Sequence, residues 1–220
     1  MGLKEGSLRS LMTPNKRAED KLVQLVFHHM LQALDYISTK GIIHRDVKPE
    51  NILYEIVDGQ YIFQLADFGL CNASGVAATQ GKGSPLYRAP EVTHCHEVQT
   101  DKVDMWSLFV TVVDMVYPKF RHFQFQDTDD DIHRHVIYCA QVSNDLIRIR
   151  EAANFYPQNR ASAAQMLVKI YNGEGMTTPW HKVPEMKPWE ETFVPKHKIN
   201  AIQAANRGYP AGAGPSRNIF

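Results

Sequence analysis

Between Pro14 and Lys40 the apolar residues Leu22, Val23, Val26, Met30, Leu34 and Ile37 recur every three or four positions, the period of a helix with one buried face. Thr13-Pro14 supplies a start and Lys40-Gly41 a stop, so a long helix is expected over that stretch. Three short apolar runs follow, Gly41-Ile42-Ile43, Asn51 to Tyr54 and Tyr61 to Ala66, and Asp58-Gly59 between the last two reads as a hairpin turn. From Val103 to Val116 the pattern changes: Met105, Trp106, Leu108, Phe109, Val112, Val113 and Met115 surround the helix on all sides, as in a central helix. Further helices are expected over Asp131 to Ala140, Ser143 to Asn154 and Ser162 to Tyr171. Ser74 to Ser84 is rich in Gly, Ala and Ser without periodicity and reads as a mobile loop. Six of the 12 prolines lie between Pro179 and Pro215, so residues 173–220 read as an extended or disordered tail behind one domain, residues 1–172.

Composition narrows the class. The chain has 220 residues, 44% apolar and 22% charged, which suits one soluble globular core. Basic and acidic residues balance at 24 each, so no overall field draws the chain to nucleic acid or to an anionic membrane. The apolar stretch from Met105 to Val116 is too short to span a bilayer, and Gly6 stands where a myristoylation signal needs Ser or Thr. Three cysteines (Cys71, Cys95, Cys139) without paired spacing suit a reducing compartment, hence an intracellular, cytoplasmic or nuclear location. In that setting the sequon Asn72-Ala73-Ser74 carries no glycan.

The chemistry concentrates in His44-Arg45-Asp46-Val47-Lys48-Pro49-Glu50-Asn51 and, after the hairpin, Asp67-Phe68-Gly69. Two carboxylates and an amide in this pattern suit phosphoryl transfer, which needs a base beside an acceptor hydroxyl and oxygen ligands for Mg²⁺. With Ala89-Pro90-Glu91 downstream, the order H-R-D-x-x-x-x-N, D-F-G, A-P-E resembles the signature of the eukaryotic-type serine/threonine protein kinases. The likeness extends from about Gly6 to Tyr171. Gly83 to Glu91 resembles the segment that seats an acceptor peptide, with Ser84 at its Ser/Thr position. Asp101-Lys102-Val103-Asp104-Met105-Trp106-Ser107 resembles the start of the central helix, whose aspartate, here Asp104, ties down the catalytic loop. Arg160, after Pro157-Gln158-Asn159, corresponds to the arginine that pairs with the glutamate of A-P-E, here Glu91.

The resemblance implies a mainly α fold, a protein-kinase-like C-terminal lobe with a small β-hairpin region carrying the catalytic loop. It implies that Asp46 accepts the proton of the substrate hydroxyl and that Lys48 touches the transferring phosphate. Asn51 and Asp67 would hold Mg²⁺, and Lys48, Asn51, Leu53 and Asp67 would contact ATP. His44 and Phe68 would be packed spine residues, and Arg45 would meet a phosphorylated loop residue, Thr79 being the best placed. The implied partners are protein substrates with Ser/Thr acceptors, with a mild basic preference read from Glu50. Phe109 departs from the family, which usually has glycine there. No G-x-G-x-x-G and no V-A-I-K-like lysine precedes His44, so the nucleotide-covering N-terminal lobe is expected to come from outside this sequence, in cis or in trans. The alternative is a catalytically incomplete kinase lobe that serves as a protein-interaction module.

Rival motifs are weaker. Gly75 to Gly83 has five residues where a P-loop has four, and Gly83 replaces its Ser/Thr. His133, His135 and Cys139, with His94-Cys95-His96, lack zinc-site spacing and read as ordinary histidines. Asp127 and Asp129 to Asp131 read as a solvated loop and a helix N-terminus.

Overall fold

The computed structural model describes residues 4–73, 83–94, 99–120, 128–189 and 219–220. In chain order the elements are β1 (Gly6–Ser7), α1 (Leu8–Leu11), α2 (Asp20–Thr39), β2 (Ile42–Ile43), β3 (Ile52–Val57), β4 (Gln60–Leu65), β5 (Asn72–Ala73), α3 (Pro90–His94), α4 (Lys102–Val116), α5 (Asp129–Val142) and α6 (Ala163–Tyr171). The fold is thus mainly helical, with two small sheets. None of the described helices is long and apolar enough to cross a membrane.

Helix α4 is the centre. Every residue from Val103 to Val116 is buried, so polar groups on it must find partners inside. Ser107 donates its hydroxyl to the carbonyls of Tyr87 (2.7 Å) and Val103 (3.1 Å), and Thr111 donates to that of Ser107 (2.9 Å). Phe109 is wholly buried in the same core. Helix α2 lays Val23, Val26, Phe27, Met30, Leu31 and Leu34 against it, and α5, the 3₁₀ helix over Ile147–Ala153 and the Pro85–Tyr87 turn pack on it as well, while α6 packs on α2. Capping boxes start two of these helices, Thr128 with Asp131 on α5 and Ser162 with Gln165 on α6.

Two boundaries differ from expectation. Helix α2 begins at Asp20 instead of Pro14, because Thr13 to Lys16 makes a turn in which Asn15 is left-handed at φ 58°. The stretch from Ser143 to Asn154 is a 3₁₀ helix over Ile147–Ala153. Leu146, Ile149 and Ala152 bury one face at every third position, the 3₁₀ period, and Glu151 and Ala153 are buried beside them at its end.

Strands β1, β3 and β4 form an antiparallel sheet in that order, with Tyr54 opposite Phe63 and Val57 opposite Gln60 at the Asp58-Gly59 turn. Strand β2 pairs with β5, Ile43 opposite Asn72, which closes the loop carrying the H-R-D and D-F-G motifs between two anchored ends. Beyond α6, residues 172–175 make a turn, and the chain then runs irregularly to residue 189 with one 3₁₀ turn at Trp180–Lys182. This stretch is held by Asp35, which accepts from the backbone of Thr177 (2.6 Å) and Thr178 (2.9 Å), and by Gln165, which donates to the carbonyls of Pro184 and Glu185 at 3.0 Å. Ile219 and Phe220 are buried against α2, with the Phe220 ring edge-on to Phe27 at 5.0 Å.

Candidate active site

The H-R-D loop is built on one buried carboxylate. Asp104, in the first turn of α4, accepts the backbone N–H of His44 and of Arg45, each at 2.8 Å. Burial pushes its carboxyl up to about 7, against the pull of those two donors. This clamp holds Arg45 at φ 71°, a conformation that a non-glycine residue adopts only when its surroundings impose it. Asp67 is the second such residue, at φ 62°, with its Oδ1 accepting from Gly69 N at 3.3 Å. The two strained turns are tied together: Ala66 donates its N–H to the Asn51 carbonyl (2.8 Å), and the Ala66 carbonyl meets His44 Nε2 at 2.9 Å. Burial lowers the affinity of His44 for a proton, consistent with a neutral ring wedged between the loops.

Four side chains converge on the result. The Asp46 Oδ2 accepts from Lys48 Nζ (2.6 Å) and Asn51 Nδ2 (2.9 Å), while Oδ1 accepts from both the N–H and the hydroxyl of Ser84 at 3.1 Å. Lys48 Nζ also donates to Ser84 Oγ at 2.8 Å. Burial alone would raise Asp46, but the Lys48 ammonium and the Ser84 donors outweigh it and hold the carboxyl below the usual carboxylate range. Asp46 is therefore an ionised, oriented acceptor at neutral pH. Gly83 makes the Ser84 contact feasible: at φ 91° it passes so near the loop that a Cβ would lie 2.7 Å from the Arg45 carbonyl oxygen.

Asn51 uses its amide nitrogen on Asp46, through the Oδ2 above and the backbone oxygen at 2.8 Å, which turns its Oδ1 away from Asp46. Asp67 is exposed. An amide oxygen and an exposed carboxylate make a hard-oxygen donor pair of the kind that binds Mg²⁺ together with substrate phosphates, and they fit that ion. Leu53 lies half-buried on β3, opposite Ser7 and Gln64. Phe68 differs from the expected packed residue: its ring makes a T-shaped contact with His44 at 4.9 Å, yet it remains 45% exposed.

The downstream scaffold has the expected partners. Arg160 pairs with Glu91 through two hydrogen bonds, at 2.6 and 2.9 Å, and both side chains are buried. His133 and His135 are core residues; His133 Nε2 meets the Arg88 carbonyl at 3.0 Å, and burial holds His135 down at about 4. Among the described residues no cluster of three His, Cys, Asp or Glu could hold a metal. Asp129 accepts from Thr93 Oγ1 (3.1 Å) and pairs with Arg88 at 3.4 Å, so this member of the acidic run has a structural role. Arg45 keeps Nε and Nη2 buried without an acceptor among the described residues. Thr79, its expected partner, lies outside them, as do Cys95, His96, Asp127 and the loop from Ser74 to Lys82.

Sequence reasoning missed one feature. Arg9, on α1, donates to Glu50 Oε1 (2.6 Å), Asp114 Oδ2 (2.9 Å) and Tyr87 Oη (2.7 Å), tying α1 to three remote parts of the chain beside the H-R-D loop. Its signal was an aspartate, Asp114, set among valines and methionines of an all-apolar helix, where a carboxylate needs a counter-charge.

Comparison with known proteins agrees with this geometry. The protein kinase domain family matches residues 2–174. The chain is 38% identical over 115 residues to the ovarian-specific serine/threonine-protein kinase Lok of Drosophila melanogaster, covering 50% of this chain and 24% of that protein. It is 29% identical over 197 residues to the serine/threonine-protein kinase chk-2 of Caenorhabditis elegans, covering 84% of this chain and 39% of that protein. With the maternal embryonic leucine zipper kinase of Danio rerio it shares 24% over 216 residues, 92% of this chain and 31% of that protein. It thus spans well under half the length of these relatives. From the H-R-D loop to the Glu91–Arg160 pair, the chain is a member of the eukaryotic-type serine/threonine protein kinase family.

Proposed function

We propose that this chain is the substrate-seating C-terminal lobe of a serine/threonine protein kinase and that it takes part in moving the γ-phosphoryl of ATP to Ser/Thr hydroxyls of proteins. The observation that carries the reading is the convergence of Lys48, Asn51 and Ser84 on an ionised Asp46 carboxylate. In this reading Asp46 orients the acceptor hydroxyl and takes its proton as the oxygen bonds to phosphorus and ADP leaves. Lys48, already at 2.6 Å from Asp46, steadies the transferring phosphate from the same side. Asn51 and Asp67 are the Mg²⁺ ligands, and Leu53 lines the nucleotide site from β3. Mg²⁺, when bound, neutralises charge on the β- and γ-phosphates. Glu91 and Arg160 hold the peptide-seating segment in place. The phosphates are covered by an N-terminal lobe, with its glycine loop and lysine, supplied in cis or in trans; Phe68, half-exposed beside His44, is where that lobe would pack.

A second reading, a protein-interaction module without turnover, has one observation in its favour. Ser84 already occupies Asp46 Oδ1, and Lys48 bridges the pair, so the acceptor position is filled by the chain's own groups. Phosphate transfer to protein serine, abolished by Asp46→Asn, separates the two.

A further inference from the structure

Asp35, in the second half of α2, is a carboxylate that the transfer step described above does not use. It is 1% exposed, and among the described residues no lysine or arginine pairs with it. Its side-chain donors there all come from two consecutive residues of the strap beyond α6. Oδ2 accepts the N–H of Thr177 at 2.6 Å and that of Thr178 at 2.9 Å, and Oδ1 accepts the Thr178 hydroxyl at 2.6 Å. A carboxylate withdrawn from water is costly unless hydrogen bonds replace its hydration, so the strap and Asp35 stabilise each other. This latch holds because Thr178 brings a hydrogen and no charge.

Of the three donors, only the hydroxyl can be esterified. Thr177, Pro179 and Trp180 around it are exposed, and residues 176–179 belong to no helix or strand, so the threonine stands in an accessible peptide with proline directly after it. That proline, at φ −58°, has a fixed ring and no N–H, features that a modifying enzyme can read with an apolar pocket alone. A phosphate on Oγ1 would remove the hydrogen that bonds Asp35 and add about −1.5 to −2 charge with acceptor oxygens only. Two anions repel at the distance where donor and acceptor now meet, and no paired cation offsets them. Swinging Thr178 outward relieves the repulsion and returns Asp35 to water. The far end of the strap has its own anchors, Gln165 on Pro184 and Glu185 and Lys187 on Asn159 Oδ1 at 2.8 Å, so the opening starts at Asp35 and stops short of residue 184.

We propose that Thr178 is a phosphorylation site for a proline-directed protein kinase acting in trans, and that its phosphate unlatches residues 176–183 from α2. In that step the Oγ1–P bond forms as the bond from the γ-phosphorus of ATP to its bridging oxygen breaks. ADP leaves with that oxygen, and the hydroxyl proton passes through the base of the modifying enzyme to water. The site is independent of phosphate transfer by this chain.

The test incubates the purified chain with ATP and a proline-directed kinase, maps the phosphate by mass spectrometry, and compares amide hydrogen exchange over residues 176–183 before and after. Phosphate is expected on Thr178 and is expected to be lost in Pro179→Ala. The Thr177 and Thr178 amides should then exchange about tenfold faster or more, the sign of a local opening. Two variants separate charge from loss of the hydroxyl, since Thr178→Gln and Thr178→Glu both remove the donor and only the second adds an anion. Exchange should be faster in the glutamate variant than in the glutamine one, and the phosphorylated chain supplies the same comparison should the glutamate variant fold poorly. No phosphate on Thr178, equal labelling of Pro179→Ala, or phosphate on Thr178 with exchange unchanged overturns the proposal, as does equal exchange in the two variants.

Discussion

Arg160 and Glu91 meet across 69 positions of sequence through two parallel hydrogen bonds, Nη1 to Oε1 at 2.6 Å and Nη2 to Oε2 at 2.9 Å. Arg160 does more than pair. It also donates to the carbonyls of Asn154, Lys102 and Phe155, each at 2.8 Å, and its guanidinium lies 5.1 Å from the Trp106 ring centre. Removing Glu91 leaves a buried cation short of its anion; removing Arg160 leaves an anion and three carbonyls short of donors. Arg160→Ala is expected to cost about 3–5 kcal/mol in denaturant melts, the range for breaking a buried pair. The double variant with Glu91→Ala should be no worse than Arg160→Ala alone, so the cycle shows strong coupling. Additive losses of surface size would contradict the pairing.

Gly83 tests the geometry of the catalytic carboxylate. Alanine there meets two obstacles, a left-handed φ of 91° and the Arg45 carbonyl oxygen at 2.7 Å. Gly59 is a matched control, with φ 76° and nothing within 4 Å of its added Cβ. Both substitutions carry the handedness cost of about 1–2 kcal/mol, visible in melting. Only Gly83→Ala should also displace Ser84 from Asp46 and reduce phosphate transfer, on the order of 100-fold for a shift near 1 Å. Equal activity of the two variants would show that the Ser84 contact is idle.

Two carboxyls of the site respond to pH in opposite ways. Asp46 is held below the ordinary value near about 4, so its stabilisation is present above that value and is lost only as pH falls through its lower folded pKa. Asp104 is raised to about 7, so its contribution is full below the ordinary carboxylate range and is lost as pH rises through 7. Protonation relieves the burial of Asp104 but removes one acceptor from the His44 and Arg45 N–H groups, loosening the catalytic loop. The rate of the lobe-completed kinase is thus expected to fall on the acid side with a midpoint near 7, with no second limb from Asp46 down to about pH 5. Asp104→Asn should lower the plateau and remove the limb. A limb unchanged by that substitution would assign it elsewhere.

Legibility in the sequence followed the range of the interaction. Helix α4 could be read directly, because an apolar pattern on all sides is a local signal, whereas the role of its Asp104 came from the family resemblance. The candidate site residues and the Glu91–Arg160 pair came from ordered motifs, whose spacing preserves long-range geometry. Propensity alone misplaced the start of α2, where Asn15 takes a left-handed turn, and the 3₁₀ helix over Ile147–Ala153, whose every-third-residue burial is set by what it packs against. The Arg9 cluster was out of reach for a different reason. Its partners stand 41, 78 and 105 positions away, and although Asp114 among apolar neighbours signals that a counter-charge is needed, nothing in the sequence says that Arg9 supplies it.

The central claim, that Asp46 is the base of a protein kinase, is tested most directly by phosphate incorporation from ATP into a serine-containing protein. The chain is assayed alone, joined to a nucleotide-covering lobe, and joined with Asp46→Asn. Transfer is expected from the joined form, with little from the chain alone because positioning of the phosphates is most of this catalysis. Asp46→Asn should reduce it by about 10²–10⁴-fold, the contribution of a positioned base, while the melting temperature stays close to that of the parent. A joined enzyme that keeps its rate with asparagine at position 46 would contradict the account.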